Sequence, residues 1–539
     1  MTTPKVKLLD CTIRDGGYYN DWDFSRAEVQ TYINNLVRGG VDIIEIGFRF
    51  TPKSDFHGPY AYTSEQTLQG LVLPEGVQFG VMVNASDYLK PTWQDDIERS
   101  FVNAADSAVS LVRIAAHIGQ VRECGPLVKW FKDAGYDCGF NIMQISQATD
   151  AEISDLVEYV ETEFVDFEAL YFADSLGNLT TSDVSRIVGL FREKTDKPIG
   201  FHGHDNIGLG VSNSLAAINA GATWVDATVT GMGRGAGNTQ TEYLSLELSR
   251  AGLHQFDMLE IQKAATGWLA SLQKKCGWGT NIFYYEAGLR SLHPSYVQQL
   301  LSTGLYDPID VLVMIDALAN QETPTSYSGA NIDRAVASLM SHPLGANSLA
   351  VDWKNRPVLL LAGGPNGANH VDAVMSFAEQ VNAVVLAVNH LNFISPERLD
   401  GVVCIHPARM MNLLEDETWN NVQVFTSVAS LPTNLAARMT GRTNVNDYGV
   451  KVSTDGELSA GDRGCTIPTP HALAYASAIA HTAGAREILL AGFDGYDGRS
   501  DLYQQSAQII EAAGQDLGLT VKSLTKTYFD VPVQSIYSR

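Results

Sequence analysis

Residues 198–206 read Pro-Ile-Gly-Phe-His202-Gly-His204-Asp-Asn206, a short apolar run that ends in two histidines one residue apart. In an extended strand alternate side chains share a face, so His202 and His204 point the same way from the carboxyl end of the run. Similar β-rich runs recur through the first part of the chain, separated by stretches with apolar residues at helical spacing. Eight are present: Val6 to Cys11, Asp42 to Phe48, Val77 to Val83, Ser110 to Ala116, Asp137 to Met143, Ala169 to Ala173, Pro198 to His202 and Trp224 to Thr230. Between the first two, Val29, Ile33, Leu36 and Val37 mark a helix face, and Gly39 and Gly40 stop the helix. An open doubly wound sheet would also alternate in this way, but with a switch point and usually fewer strands. Eight repeats predict an α/β fold with an N-terminal closed (β/α)8 barrel.

The polar residues support the barrel. Arg14 and Asp15, Arg49, Asn84, His117, Asp174 and Ser175, and His202 with His204 all fall at the carboxyl ends of successive runs. A (β/α)8 enzyme gathers its active site there. Two imidazoles on one side form a natural chelate. Asp15, just after the first run, would supply a carboxylate where the barrel closes against the eighth. Two neutral histidines and one carboxylate leave a divalent ion net positive, with open positions for water or substrate. A lone histidine at a strand end is more often structural, but the pair stands beside a glycine-rich turn, Gly231-Met-Gly-Arg-Gly-Ala-Gly-Asn238, which favours the metal reading. Arg14, beside a metal ligand, is read as an anion binder because guanidinium matches carboxylate and enolate oxygens. Asn238 either closes its turn or contacts metal or substrate. By position Arg49, Asp174 and Ser175 are candidate substrate-binding residues.

The chain has 539 residues, too many for one ordinary core. The barrel is expected over 1–254, a helical extension over 255–345, a linker around Gly345 to Arg356, and a second α/β domain over 356–539. No stretch approaches the roughly 20 apolar residues needed to span a bilayer, and Met1 to Lys7 holds no apolar signal core, so a cytoplasmic protein with no membrane partner is expected. Six scattered cysteines without a Cys-x-x-Cys pair indicate neither a disulfide framework nor a thiolate zinc site. A net charge of -24 argues against nucleic acid as a partner and reads chiefly as solubility. The apolar face of the helical extension points to a homo-oligomer.

Leu9-Asp-Cys-Thr-Ile-Arg14-Asp15-Gly16, His202-Gly-His204-Asp-Asn206 and the Gly231 to Asn238 loop together resemble the DRE-TIM metallolyase superfamily, and within it 4-hydroxy-2-oxovalerate aldolase-like proteins. The resemblance covers Lys5 to Glu242, and Val112-Arg-Ile-Ala-Ala-His117 and Ala173-Asp-Ser175-Leu-Gly resemble the family's fourth and sixth strand ends. It implies a divalent ion, manganese or magnesium, held by Asp15, His202 and His204, with Arg14 steadying a pyruvate enolate. The implied reaction is aldol addition or cleavage between pyruvate and an aldehyde, which needs a base for the 4-hydroxyl. Relatives carry a histidine three residues beyond the metal aspartate, whereas this chain has Tyr18. With an ordinary pKa of about 10, tyrosine is a poorer base unless a nearby cation lowers it. Tyr18, a metal-bound water and His117 are the three candidate bases.

In the second domain Gly363-Gly-Pro-Asn-Gly-Ala-Asn369 follows a buried run that starts at Pro357. Gly364, Asn366 and Gly367 either offer backbone N–H groups to a phosphate at a helix start or form a tight turn; the motif is neither G-x-G-x-x-G nor a P-loop. Ala491-Gly-Phe-Asp494-Gly-Tyr-Asp497-Gly adds carboxylates that hold a sugar, a metal or only the turn. Together these resemble Rossmann-like domains of surface-polysaccharide biosynthesis, which implies a phospho-sugar or nucleotide-sugar ligand and a sugar-derived aldehyde. Two other functions stay open: a Claisen-type acyltransferase joining acetyl-CoA to a 2-oxo acid, and a non-catalytic barrel carrying a nucleotide- or sugar-binding domain.

Overall fold

The computed structural model describes residues 5–537, apart from 165, 303–307, 322–323, 330, 333–334, 336–340, 347, 432, 454, 497 and 499. The chain forms two units, Met1–Gln299 with Glu322–Tyr327, and Leu300–Gln321 with Ser328–Arg539. The helices of the stretch expected as one extension divide between them.

In the first unit eight parallel strands close on themselves: β1 (Lys7–Asp10), β2 (Ile43–Phe48), β3 (Gln78–Asn84), β4 (Leu111–His117), β5 (Asp137–Met143), β6 (Ala169–Asp174), β7 (Ile199–Gly203) and β8 (Trp224–Ala227). Closure is made where Lys7 to Asp10 pair with Trp224 to Ala227. The expected barrel is therefore present, with most strand ends displaced by a residue or so. The eighth run stops early because Thr230, at φ 57°, turns the chain into a 3-10 turn over Val229–Gly231. Helix Arg26–Gly39 begins with a Ser25–Glu28 capping box and ends at Gly40, whose φ of 86° suits glycine.

Strand alternation sorts the barrel into layers. Leu8, Ile44, Val112, Leu170 and Val225 face outward into the core beneath the helices. Leu9, Ile43, Leu111, Ala169, Tyr171 and Trp224 face inward and fill the barrel with an apolar cluster. Two residues further along their strands, on the same face, stand Glu45, Arg113 and Asp226, all buried. A charged layer thus lies directly above the apolar one, toward the carboxyl-terminal mouth.

In the second unit β9 (Ser341–His342), β15 (Gly449–Val452), β16 (Ser459–Gly461) and β17 (Gly464–Ile467) make a small sheet. The main sheet contains β10 (Pro357–Leu361), β11 (Val384–Val388), β12 (Gly401–Val403), β13 (Val424–Thr426), β14 (Val445–Asp447), β18 (Glu487–Ala491) and β19 (Thr520–Ser523), in the order 14-13-12-11-10-18-19. All its pairings are parallel. Val358 and Leu360 enter one core and Leu359 and Leu361 another, so both faces are covered, as a buried parallel sheet requires. The Gly345 to Arg356 stretch is not a free linker. Gly345 N donates to Arg463 O at 2.7 Å, Leu349 N to Asp462 O at 3.0 Å, and Trp353 is buried. No helix among the described residues is long and apolar enough to cross a membrane.

Candidate active site

Asp15 lies in the short helix Thr12–Gly16 that follows β1, and His202 and His204 lie at the end of β7. One ligand atom from each falls within 4.8 Å of the others. Each histidine commits one ring nitrogen to an outer partner and keeps the other for a ligand. His202 Nδ1 meets Asp226 Oδ2 at 2.9 Å, which leaves Nε2 facing Asp15 Oδ2 at 3.4 Å. His204 Nδ1–H donates to the Asp174 carbonyl at 3.0 Å and leaves its Nε2 lone pair outward. Such outer hydrogen bonds fix tautomer and ring orientation in histidine metal sites. Cys11, His202 and Asp226 also cluster, but Asp226 is already bound to Arg113, and Cys11 donates to Ala227 O.

The charges around these ligands form a chain. Arg14 Nη1 donates to Asp15 Oδ1 at 2.8 Å and its Nε to Glu45 Oε1 at 2.7 Å. Arg113 spans Glu45 and Asp226, with contacts of 2.7, 2.9 and 2.7 Å. Asp15, Glu45 and Asp226 thus share Arg14, Arg113 and His202, and with His202 neutral the cluster holds a buried surplus of negative charge that a cation would neutralise. The ionisations agree. Burial opposes charge on Asp15, but Arg14 holds its carboxyl well below the usual range. Burial also opposes charge on His202, yet hydrogen bonds to Asp15 and Asp226 raise its pKa. His204, desolvated and beside His202, is pushed down to about 3 and stays neutral. Asn238 donates through Nδ2 to Asp15, and its Oδ1 is buried without a partner, in keeping with a further oxygen ligand. This donor set, two imidazoles with carboxylate and amide oxygens, fits a divalent cation.

Arg14 Nη2 is likewise buried and unpartnered, a donor left for an oxyanion. Tyr18, in the turn Gly17–Tyr19, packs 5.0 Å from Trp22, with the Arg234 guanidinium 5.3 Å from its ring. Burial raises its pKa despite Arg234, so Tyr18 stays a protonated donor and is not set up as a base. His117, at the exposed end of β4, is lowered by partial desolvation, which keeps its imidazole able to accept a proton.

Three residues expected to bind substrate are occupied otherwise. Arg49 is buried, donating to Thr63 O at 3.0 Å, Ser100 O at 3.1 Å and Glu65 Oε1 at 2.6 Å, and it ties loops together. Asp174 turns into its own loop to accept from Asn178 N and Leu179 N, and burial lifts it to about 7. Its contribution is the carbonyl that orients His204. Ser175 Oγ accepts from Gln144 N at 2.9 Å and braces the end of the preceding strand, β5. In the second unit the expected phosphate donors are also used internally. Gly364 N donates to Gly492 O, Asn366 N to Asp494 Oδ2, and Gly367 N to Gly364 O. A carboxylate already caps that turn, so no phosphate cradle forms there. Asp497 lies outside the described residues.

Sequence reasoning passed over Glu45, Arg113, Asp226, Arg234 and His293. The first three had a signal: each is the one Asp, Glu, Lys or Arg within its strand, 43–48, 111–117 or 224–227. Arg234 sits in the glycine-rich loop with Nε buried and unpartnered. His293, buried and pushed down to about 2 by desolvation and then Arg234, is brought in by a distant helix start that no local pattern reveals. The loop itself demands glycine at Gly237, where φ is 93° and a Cβ would stand 1.9 Å from Gly231 O.

The HMGL-like family model matches residues 77–266. The 4-hydroxy-2-oxovalerate aldolase of Pelotomaculum thermopropionicum is 30% identical over 271 residues, 49% of this chain and 77% of the relative. An oxaloacetate decarboxylase of Mycobacterium tuberculosis is 26% identical over 62% of this chain and 96% of its own length. Among solved structures, the N-terminal domain of an aldolase-like protein from Bacteroides vulgatus matches with a TM-score of 0.51 and 31% identity, over 55% of this chain and 97% of that domain.

Proposed function

Because the chain belongs to the HMGL-like, DRE-TIM metallolyase family, we propose that its barrel is a divalent-metal-dependent lyase of the pyruvate aldolase type. It would join or cleave pyruvate and an aldehyde, sugar-derived where the second unit holds a phospho-sugar or nucleotide-sugar. The observation that carries this reading is the convergence of Asp15, His202 and His204 beside an unpartnered Arg14 nitrogen. The relatives named as 4-hydroxy-2-oxovalerate aldolases support it.

Asp15, His202 and His204, with Asn238 Oδ1 beside them, would hold the ion, manganese or magnesium. When bound it supplies a Lewis acid for the keto and carboxylate oxygens of a 2-oxo acid. Arg14 Nη2 donates to the oxygen on which negative charge develops, in a buried site where such a bond is strong. His117 takes the proton of the 4-hydroxyl, and Tyr18 donates a hydrogen bond to the aldehyde oxygen as it forms. Arg234, half-buried with Nε uncommitted, receives an anionic group on the substrate's far end. A second reading, decarboxylation of a dicarboxylic 2-oxo acid, is favoured by that same Arg234 and by the decarboxylase relative, since it leaves the same pyruvate carbanion.

The buried, unpaired cysteines suit a reducing cytoplasm. Exposed Tyr243, Leu259, Ile282 and Leu289 suit a homo-oligomer, which sedimentation would contradict by showing a monomer at micromolar concentration.

The test is to supply 4-hydroxy-2-oxo acids with metal and follow pyruvate, alongside acetyl-CoA with 2-oxo acids followed by thiol release. Pyruvate without thiol release is expected. Thiol release without pyruvate would move the barrel to the Claisen-type acyltransferases, and neither product, with no metal bound, to a non-catalytic barrel.

A further inference from the structure

Arg234, in the glycine-rich loop at the barrel mouth, is a cation without a counter-ion. Among the described residues no carboxylate pairs with it and no side-chain or carbonyl oxygen accepts from it, and its Nε is buried. Its charge acts on Tyr18, His117, His204 and His293, so it stands among the groups that would surround a substrate. The carboxylates that act on Tyr18 do not offset it: Asp15 is paired with Arg14 and Asp87 with Lys53.

The fold brings a second donor to Arg234. Gly235, at φ 70°, lies so close to Pro294 that a Cβ there would meet the proline Cβ at 2.5 Å. This contact seats the glycine-rich loop on the start of helix Pro294–Ser302, and Gly235 N donates to Gln298 Oε1 at 3.2 Å on the next turn. Arg234 and His293, the residues before Gly235 and Pro294, come together as a result. His293 caps the helix: Ser295 N donates to its Nδ1 at 3.3 Å, which puts the ring proton on Nε2. The backbone N of His293 donates to Pro324 O at 2.9 Å, and its ring lies 6.0 Å from that of Tyr327. The ring is therefore held in place, with Nε2–H lacking an acceptor among the described residues.

A guanidinium, an imidazole N–H and the Tyr18 hydroxyl make a lining of donors with one uncompensated positive charge, which matches an oxyanion. An uncharged aldehyde would leave Arg234 and His293 unused. The Arg234 guanidinium is 5.3 Å from the Tyr18 ring, so an acceptor whose carbonyl oxygen meets the Tyr18 hydroxyl brings the rest of a short chain to Arg234. We infer that the aldehyde used by this barrel carries its own oxyanion, a carboxylate or a phosphate close to the carbonyl, and that Arg234 and His293 select it. The inference rests on the aldolase reading and gives its aldehyde a chemical class. In the addition direction pyruvate loses a methyl proton, its C3 bonds to the acceptor's carbonyl carbon, and the carbonyl oxygen takes up a proton to become the 4-hydroxyl. Arg234 and His293 hold the far anion and exchange no proton.

The manganese-loaded full chain is supplied with pyruvate and, in turn, propanal, glyoxylate, succinic semialdehyde and glyceraldehyde 3-phosphate, with the products followed by NMR. One anionic acceptor should show a kcat/KM at least about tenfold above that of propanal. Glyceraldehyde 3-phosphate as the best acceptor identifies a phosphate, and either of the other two a carboxylate; both support the inference. Arg234→Gln should raise KM for that acceptor about tenfold with a smaller change in kcat, and Arg234→Lys should recover part of the loss. His293→Asn, which keeps the helix cap and removes the Nε2–H, should also raise KM. Calorimetric titration of the metal-stripped chain with sn-glycerol 3-phosphate and 4-hydroxybutyrate, which cannot react, reads the subsite without turnover: one should bind, and Arg234→Gln should weaken it about tenfold. The inference is overturned if propanal serves as well as every anionic acceptor while pyruvate still exchanges its methyl protons, or if the folded variants use and bind the anions like the parent. Absence of metal-dependent exchange from pyruvate would instead overturn the aldolase reading, and the acceptor class with it.

Discussion

His202 meets Asp226 through Nδ1 and faces Asp15 through Nε2, so one ring joins the charged layer to the proposed metal. Asp226 is in turn held by Arg113, and Arg113 by Glu45. Asp226 is thus a positioning residue: it fixes the imidazole and touches no substrate. Asp226→Asn should lower metal affinity by about 10- to 100-fold with the barrel still folded, as outer-shell changes do. Manganese titration followed by electron paramagnetic resonance reads this, and unchanged affinity would remove Asp226 from the role. At this scale the convergence of His202 and His204, the proposed ligands, was legible in the sequence, because strand period puts them on one side. Arg49 and Asp174 were misread because a strand-end position does not tell where a long or short polar side chain turns. Tyr18 was left open as a base because burial, which keeps it protonated, is a property of the folded mouth.

At the scale of elements, the eight runs were legible because barrel strands are apolar on both faces, and the helices between them carry the 3.6-residue period. What the pattern hid was the layering inside the barrel. β7 shows how finely it is built. A Cβ at Gly200 would stand 2.3 Å from the Tyr171 ring, which fills the barrel axis below the histidines. Gly200→Ala must displace that ring, and overpacking of this kind costs about 1–3 kcal/mol. Denaturation of the variant should show a loss of that size together with weaker metal binding, since His202 is two residues away. A variant as stable as the parent would mean that Tyr171 moves freely. The eighth strand was overrun because a left-handed Thr230 leaves no mark in the residue pattern.

At the scale of the whole molecule, the presence of a second α/β unit was legible from the fresh alternating pattern after Pro357. The role of the preceding stretch was not, because β9 and the residues around Gly345 are held by partners more than a hundred positions away. Long-range pairing of this kind leaves no local signal. The second unit also shows how a motif misleads: its glycine turn is closed by Asp494, and the cavity beside it is lined by segments that share no pattern. In the barrel, Asp15, His202 and His204 are proposed to hold the ion, which would supply the Lewis acid needed for pyruvate to lose a methyl proton. Incubation with pyruvate in D2O, with and without Mn2+, followed by NMR of the methyl protons, tests this without knowledge of the aldehyde. Exchange that requires metal and is lost in His202→Ala is expected. Exchange that persists in metal-stripped protein, or survives in His202→Ala, would contradict it.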